Sequence, residues 1–187
     1  MSEFYVDPVL YDGRPEEKRI DKEERVYDLL DELGIEYKRA DHSPADTIED
    51  CQKIEEVIGV QICKNLFLCN RQETVFYILL MPALKPFRTS VVSKLLGVSR
   101  LSFGKPSFME EFLDITPGSV SIMGLMNDKN NRVQLVVDKD IYDSDYIRCH
   151  PCINTSTLKI KTSDIFEKYL PRVRHKPIVI DIKSWEE

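Results

Sequence analysis
The 187-residue chain is poor in the signatures that mark the commoner enzyme classes. It has no Gly-x-Gly-x-x-Gly, no phosphate-binding loop and no Gly-x-Ser-x-Gly, so neither a dinucleotide fold nor a nucleophile elbow is written in it. Three histidines, His42, His150 and His175, lie too far apart in sequence to suggest a metal cluster. No apolar run approaches the roughly 20 residues that a membrane span needs. The acidic start, Met1-Ser2-Glu3, lacks the basic and apolar regions of a signal peptide, so a cytoplasmic protein with no membrane partner is expected. Cysteine is sparse and odd in number: Cys51, Cys63, Cys69, Cys149 and Cys152 are expected as reduced, mostly buried thiols.

What is present describes a globular domain. Hydrophobic residues make up 42% of the chain and charged residues 31%. The net charge of −6 argues against a general nucleic-acid binder, but it is unevenly spread. Residues 1–60 carry 18 acidic and 8 basic side chains, whereas 61–187 carry 14 and 18. The second part is therefore mildly cationic, and a polyanion can approach from that side.

Residues 1–20, with Pro8, Gly13 and Pro15, show no steady period and are expected as an extended arm before a single domain over 21–187. Asp21 and Glu24 suggest a capping box for a helix that buries Val26, Leu29, Leu30 and Leu33 and stops at Gly34. Thr47 is expected to cap a second helix, with Ile48, Cys51, Ile54 and Ile58 on its buried stripe. The run Cys63 to Cys69 and the run Thr74 to Met81 form a hairpin. A short helix over Ser90 to Leu96 and a helix capped by Ser107 and ending near Leu113 follow. Strands are expected over Arg132 to Val137, Thr157 to Lys161 and Pro177 to Ile182, with a helix over Asp164 to Leu170. Strands and helices intermix with short loops, which favours an α+β fold on a mixed β-sheet.

Four stretches carry possible chemistry. Lys64 enters an apolar strand, so its ammonium either snorkels to solvent or sits in a pocket with an anionic partner. The turn Thr116-Pro117-Gly118-Ser119-Val120 either is an ordinary tight turn or presents consecutive N–H groups to an oxyanion or a ribose oxygen. His150, held extended before Pro151, either packs or donates a hydrogen bond. Asn154-Thr155-Ser156-Thr157 either faces a pocket or bends the chain. Cys149-His150-Pro151-Cys152 has thioredoxin-like spacing but no helix start to stabilise a thiolate, so buried structural thiols account for it better.

Taken in order, Cys63-Lys64-Asn65-Leu66-Phe67-Leu68, Arg100-Leu101-Ser102-Phe103, Thr116-Pro117-Gly118-Ser119-Val120 and His150-Pro151 with Asn154-Thr155 resemble the YbaK-like, prolyl-tRNA synthetase-associated editing domains. Among these the chain is most similar to the free-standing ProXp-ala (PrdX) group, over about Ile35 to Leu170. The resemblance implies a barrel-like mixed sheet flanked by helices. It also implies a trans-editing aminoacyl-tRNA deacylase that hydrolyses mischarged Ala-tRNA(Pro) without metal or organic cofactor. Its partner would be the acceptor end of the tRNA, with prolyl-tRNA synthetase a candidate second partner. A non-hydrolysing relative that binds aminoacyl-tRNA or a synthetase is the alternative. By position, Lys64 matches the family's essential lysine, Asn65 the residue beside it, Gly118 the start of the glycine loop and His150 the histidine of the His-Pro motif. Substrate contacts are then expected from Asn65, Gly118, Ser119, Val120, Ser121, Ile122, His150 and Asn154. The chain departs from the family at Ile122, four residues after the glycine, where proline is usual.

Overall fold
The computed structural model describes residues 4–183. Its elements run β1 (Tyr11–Asp12), α1 (Asp21–Glu32), β2 (Tyr37–Asp41), α2 (Ile48–Ile58), β3 (Cys63–Asn70) and β4 (Phe76–Pro82). Then come α3 (Thr89–Leu96), β5 (Leu101–Phe103), α4 (Pro106–Leu113), a 3₁₀ turn over Ile122–Asn127, β6 (Val133–Asp138), α5 (Lys139–Tyr142), β7 (Tyr146–Cys149) and β8 (Ser156–Lys161). A helix α6 over 162–172, with a π-helical middle at Ile165–Tyr169, precedes β9 (Pro177–Ile180).

The fold is α+β, as the mixed elements indicate, but the strands do not share one barrel-like sheet. They divide into a five-stranded sheet, ordered β5-β3-β4-β6-β9, and a four-stranded sheet, ordered β1-β2-β8-β7. The first is mixed: β5, β3 and β4 pair antiparallel, while β4, β6 and β9 run parallel. The second is wholly antiparallel. The main core gathers Phe67, Phe76, Ile78 and Leu135 of the larger sheet with Ile147, Leu158 and Ile160 of the smaller one and with Val26, Tyr27 and Leu30 of α1. The other face of the larger sheet has its own core of Leu68, Leu79, Met81, Val92 and Val136. β4 is therefore covered on both sides, which is why it reads as an unbroken apolar run.

Local signals were obeyed unevenly. Thr47 and Asp50 form a reciprocal capping box on α2, and Gly59 closes that helix at φ 66°. The box expected on α1 does not form: Ile20 is the N-cap, and Glu24 instead accepts from the Arg19 amide and from Arg14. α4 likewise starts at Pro106 after Lys105, with no side-chain cap from Ser107. Segment 4–20 is extended and runs along the smaller sheet, with Tyr11 opposite Arg39 and Val6 bridged to His42.

Candidate active site
Strand β3 reaches the junction of the two sheets at its first residues. Alternation along its unbroken register sends Cys63, Asn65 and Phe67 toward the main core, and Lys64, Leu66 and Leu68 to the opposite face. The half-buried Lys64 ammonium donates to the Lys85 carbonyl at 2.7 Å and, among the described residues, has no carboxylate within 4 Å. Lys64 and Asn65 thus lie side by side in sequence and on opposite faces in space. Asn65 is tightly held yet incomplete: its Oδ1 is buried with no hydrogen-bond donor, while its Nδ2 meets Cys63 Sγ at 3.7 Å. A buried acceptor left unpaired is costly. Cys63 Sγ in turn reaches the Arg148 carbonyl at 3.4 Å and ties β3 to β7.

The turn after α4 needs glycine. Gly118 has φ 89°, and a Cβ there would stand 3.5 Å from Asn154 Nδ2, so backbone strain rather than crowding excludes other residues. From Gly118 to Ile122, among the described residues, only the Ser119 amide donates within the protein, to the Thr116 carbonyl at 3.1 Å. The amides of Gly118, Val120, Ser121 and Ile122 have no acceptor among the described residues. Ser121 fixes the turn: its hydroxyl donates to the His150 carbonyl at 2.6 Å and accepts from the Met123 amide at 3.1 Å. The Tyr169 hydroxyl secures the next residues through the carbonyls of Ile122 (3.0 Å) and Met123 (2.8 Å). Ser119, Ser121 and Ile122 are buried and Val120 is half-buried against the main core. The Ile122 side chain therefore belongs to the core, and what it offers a ligand is its backbone.

His150 and Asn154 close the group. The Ser156 carbonyl stands 2.7 Å from His150 Nδ1; a carbonyl can only accept, so Nδ1 carries the proton and Nε2 is left with its lone pair. Burial, with further pressure from His42 and Arg148, lowers the His150 pKa to about 4, so the ring is neutral at neutral pH. Asn154 spends its amide on the chain: Nδ2 donates to the Ala45 carbonyl at 3.1 Å and Oδ1 accepts from the Ala45 amide at 3.3 Å. It thereby clamps the loop before α2 against the glycine turn.

Two residues of this neighbourhood were not read from the sequence. His42 hydrogen-bonds the Ser43 carbonyl and the Thr157 hydroxyl, both at 2.8 Å, and its ring centre lies 5.9 Å from that of His150. Arg148, 7% exposed, lies on β7, which ends at Cys149, and strand alternation continued one step further puts it on the side of His150. That alternation was the available signal, hidden because Tyr146–Cys149 was not read as a strand.

The Cys149 and Cys152 thiols are buried, and burial raises both, Cys152 to about 12. Thiol exchange needs a thiolate, so this pair is built for packing. Among the described residues no group of three or more His, Cys, Asp or Glu side chains is arranged to hold a metal ion. None of the helices described is long and apolar enough to cross a membrane.

A glycine turn with amides unpaired among the described residues and a neutral histidine, set between two sheets, suit the hydrolysis of an activated ester. Residues 42–168 match the family model described as the aminoacyl-tRNA editing domain, and the chain belongs to that family, whose members are aminoacyl-tRNA hydrolases. It is 30% identical over 146 residues to the prolyl-tRNA editing protein ProX of Acetoanaerobium sticklandii, covering 78% of this chain and 89% of that one. It is 24% identical over 163 residues to prolyl-tRNA synthetase associated domain-containing protein 1 of Danio rerio, covering 86% and 88%. A solved structure described as a candidate trans-editing enzyme for prolyl tRNA synthetase superposes with a TM-score of 0.63 at 14% identity, over 90% of this chain and 100% of that one, and supports the fold.

Proposed function
We propose that the protein deacylates mischarged tRNA(Pro) in trans, with Ala-tRNA(Pro) as its substrate. The observation that carries this reading is the set of unused amides between Gly118 and Ile122, pinned against His150 by Ser121. An aminoacyl ester is already activated, so no nucleophilic triad is required. Water adds to the carbonyl carbon, the bond to the ribose oxygen breaks, and that oxygen leaves with a proton. The amides hold either the developing oxyanion or the terminal ribose. The neutral His150 accepts at Nε2 from a ribose hydroxyl or the attacking water. Asn65 Oδ1 receives a donor from the substrate and so loses its unpaired state.

Lys64 takes the outer part of this arrangement. Its ammonium lies on the face away from Asn65, which favours contact with a phosphate of the RNA strand over polarisation of the ester. The choice of alanine follows from the closed floor of the turn, where Ser119, Ser121 and Ile122 are buried. A shallow site admits a small side chain and excludes the proline ring. A synthetase pocket built for proline rejects alanine by only about 1–3 kcal/mol, so such a second sieve serves a need. The partner is the acceptor end of tRNA(Pro), with prolyl-tRNA synthetase as the source of the error. Steady-state rates on Ala-, Ser-, Cys- and Pro-tRNA(Pro) test the proposal: Ala-tRNA(Pro) is cleaved fastest and Pro-tRNA(Pro) is spared. A preference for Cys- or Pro-tRNA(Pro) would refute it.

A further inference from the structure
Arg148 has an unusual position. It is 7% exposed, yet its guanidinium makes a single hydrogen bond, from Nη1 to the Cys51 carbonyl at 3.3 Å, and among the described residues has no carboxylate within 4 Å. The nearest acidic influence is Glu55, which acts on it electrostatically without a direct contact and which accepts from the Ile62 amide at 3.0 Å. The strand register adds to the imbalance. Arg148 on β7 stands opposite Lys159 on β8, which stands opposite Lys38 on β2. Three cations thus cross three adjacent strands in one row. Only Lys38, at the outer end, has an acidic partner among the described residues, in Asp12. Like charges set directly opposite each other destabilise a sheet, and a buried cation with no carboxylate in direct contact is costly too.

The other buried arginine among the described residues is neutralised. Arg39, 4% exposed, has Asp41 at 3.0 Å and the Gly13 carbonyl at 2.7 Å. The contrast is therefore local to β7. It falls two residues before His150, the residue that follows β7, and the two groups interact electrostatically.

We infer that Arg148 binds a phosphodiester of the substrate's RNA strand, with Lys159 next to it on β8 extending the same cationic row. This rests on the proposed deacylase function and adds a residue to it. The planar fork of arginine suits a phosphate, and the desolvated setting makes each bond stronger than it would be in water. The anion supplies the direct ion pair that Arg148 lacks among the described residues. Arg148 is thus a positioning residue: it sets where the strand lies while the glycine turn and His150 face the ester.

The test compares the parent with Arg148→Met and Arg148→Lys, using inorganic phosphate as the first probe. In phosphate-free buffer Arg148→Met should melt no lower than the parent, because it removes an uncompensated buried charge and keeps most of the volume. Added phosphate should raise the melting temperature of the parent and of Arg148→Lys, but not that of Arg148→Met. On an alanylated acceptor minihelix, Arg148→Met should raise KM roughly 10- to 100-fold with a smaller change in kcat. It should also reduce the slope of log KM against log salt by about 0.7–0.9, the share of one phosphate contact. Arg148→Lys should recover part of both. A lower melting temperature for Arg148→Met together with an unaltered phosphate response would overturn the inference and make Arg148 a structural residue. If Arg148→Met does not fold, a parent or Arg148→Lys protein that ignores phosphate overturns it equally. Should the parent cleave no aminoacyl-tRNA yet keep an Arg148-dependent phosphate response, the deacylase reading fails and the anion site stands.

Discussion
At the scale of the residue, Lys64 shows how neighbours in sequence can serve different surfaces. Its single bond to the Lys85 carbonyl is a snorkelling contact and fills no core volume. Lys64→Ala should therefore change stability by no more than about 1 kcal/mol. Deacylation should fall by orders of magnitude, and the loss should appear mainly in KM if the ammonium meets a phosphate, or in kcat if it polarises the ester. Full activity in the folded variant would remove Lys64 from the site. The paired cysteines belong to the same scale. Cys149→Ser with Cys152→Ser should leave deacylation within about five-fold of the parent, since raised, buried thiols are not exchanging groups. Loss of activity with the fold intact, or a measurable dithiol–disulfide potential, would return redox chemistry to consideration.

At the scale of the element, the glycine turn and the strand it faces decide what is variable. Ser121, before Ile122, is extended at φ −151° and ψ 145°, and Ile122 is the first residue of the 3₁₀ turn. Both are positions that proline tolerates, and the Ile122 amide has no acceptor among the described residues. The backbone is thus already shaped for the family's usual proline. Ile122→Pro should fold with a modest loss from the buried side chain, about 1–3 kcal/mol. It should keep the order of preference among aminoacyl groups, because the isoleucine side chain is in the core and not in the cleft. A variant whose preference moves toward larger aminoacyl groups would show that the side chain shapes the pocket after all. How much of this was legible follows from the range of each interaction. Local signals carried α2, the β3–β4 hairpin, Gly118 and the ordered motifs. The two separate sheets were not legible, because strand partners such as β2 and β8 lie over a hundred residues apart. β7 was missed because a four-residue strand holding Arg148 and an exposed Tyr146 has too few apolar positions to set a period. The opposite facing of Lys64 and Asn65 was implicit in strand alternation, but only the packed sheet shows which face meets the turn.

At the scale of the whole molecule, the junction of the two sheets is held by groups that must stay in one charge state, and this makes acid the natural probe of the fold. His150, with its pKa lowered to about 4, and His42, lowered by burial, are neutral when folded. In the unfolded chain a histidine titrates near 6.5, so between about pH 6.5 and 4 the unfolded state binds protons that the folded state refuses. The stabilisation from neutral His150 is complete above the unfolded pKa and is lost as pH falls toward the folded one, about 3 kcal/mol over that window. Glu23 works in the other direction. Its burial, only partly relieved by the Tyr27 hydroxyl and Arg19, raises the carboxyl, so its unfavourable share shrinks as the solution becomes more acid. Asp41 enters later. Burial pushes it up, but hydrogen bonds from Ser156 and Arg39 and the charges of Arg39 and Arg19 outweigh that, and its net lowered pKa matters only below the ordinary carboxylate range. The urea midpoint of the parent should therefore fall between about pH 6.5 and pH 4.5, above the range in which the lowered Asp41 titrates. His150→Gln should flatten a large part of that slope, and the ring resonances of His150 in the parent should titrate far below 6.5. An unchanged slope in the variant, or a His150 ring that titrates at its ordinary value, would mean that the histidine is solvated and not sealed at the sheet junction. The free Nε2 lone pair at neutral pH would then lose its physical basis.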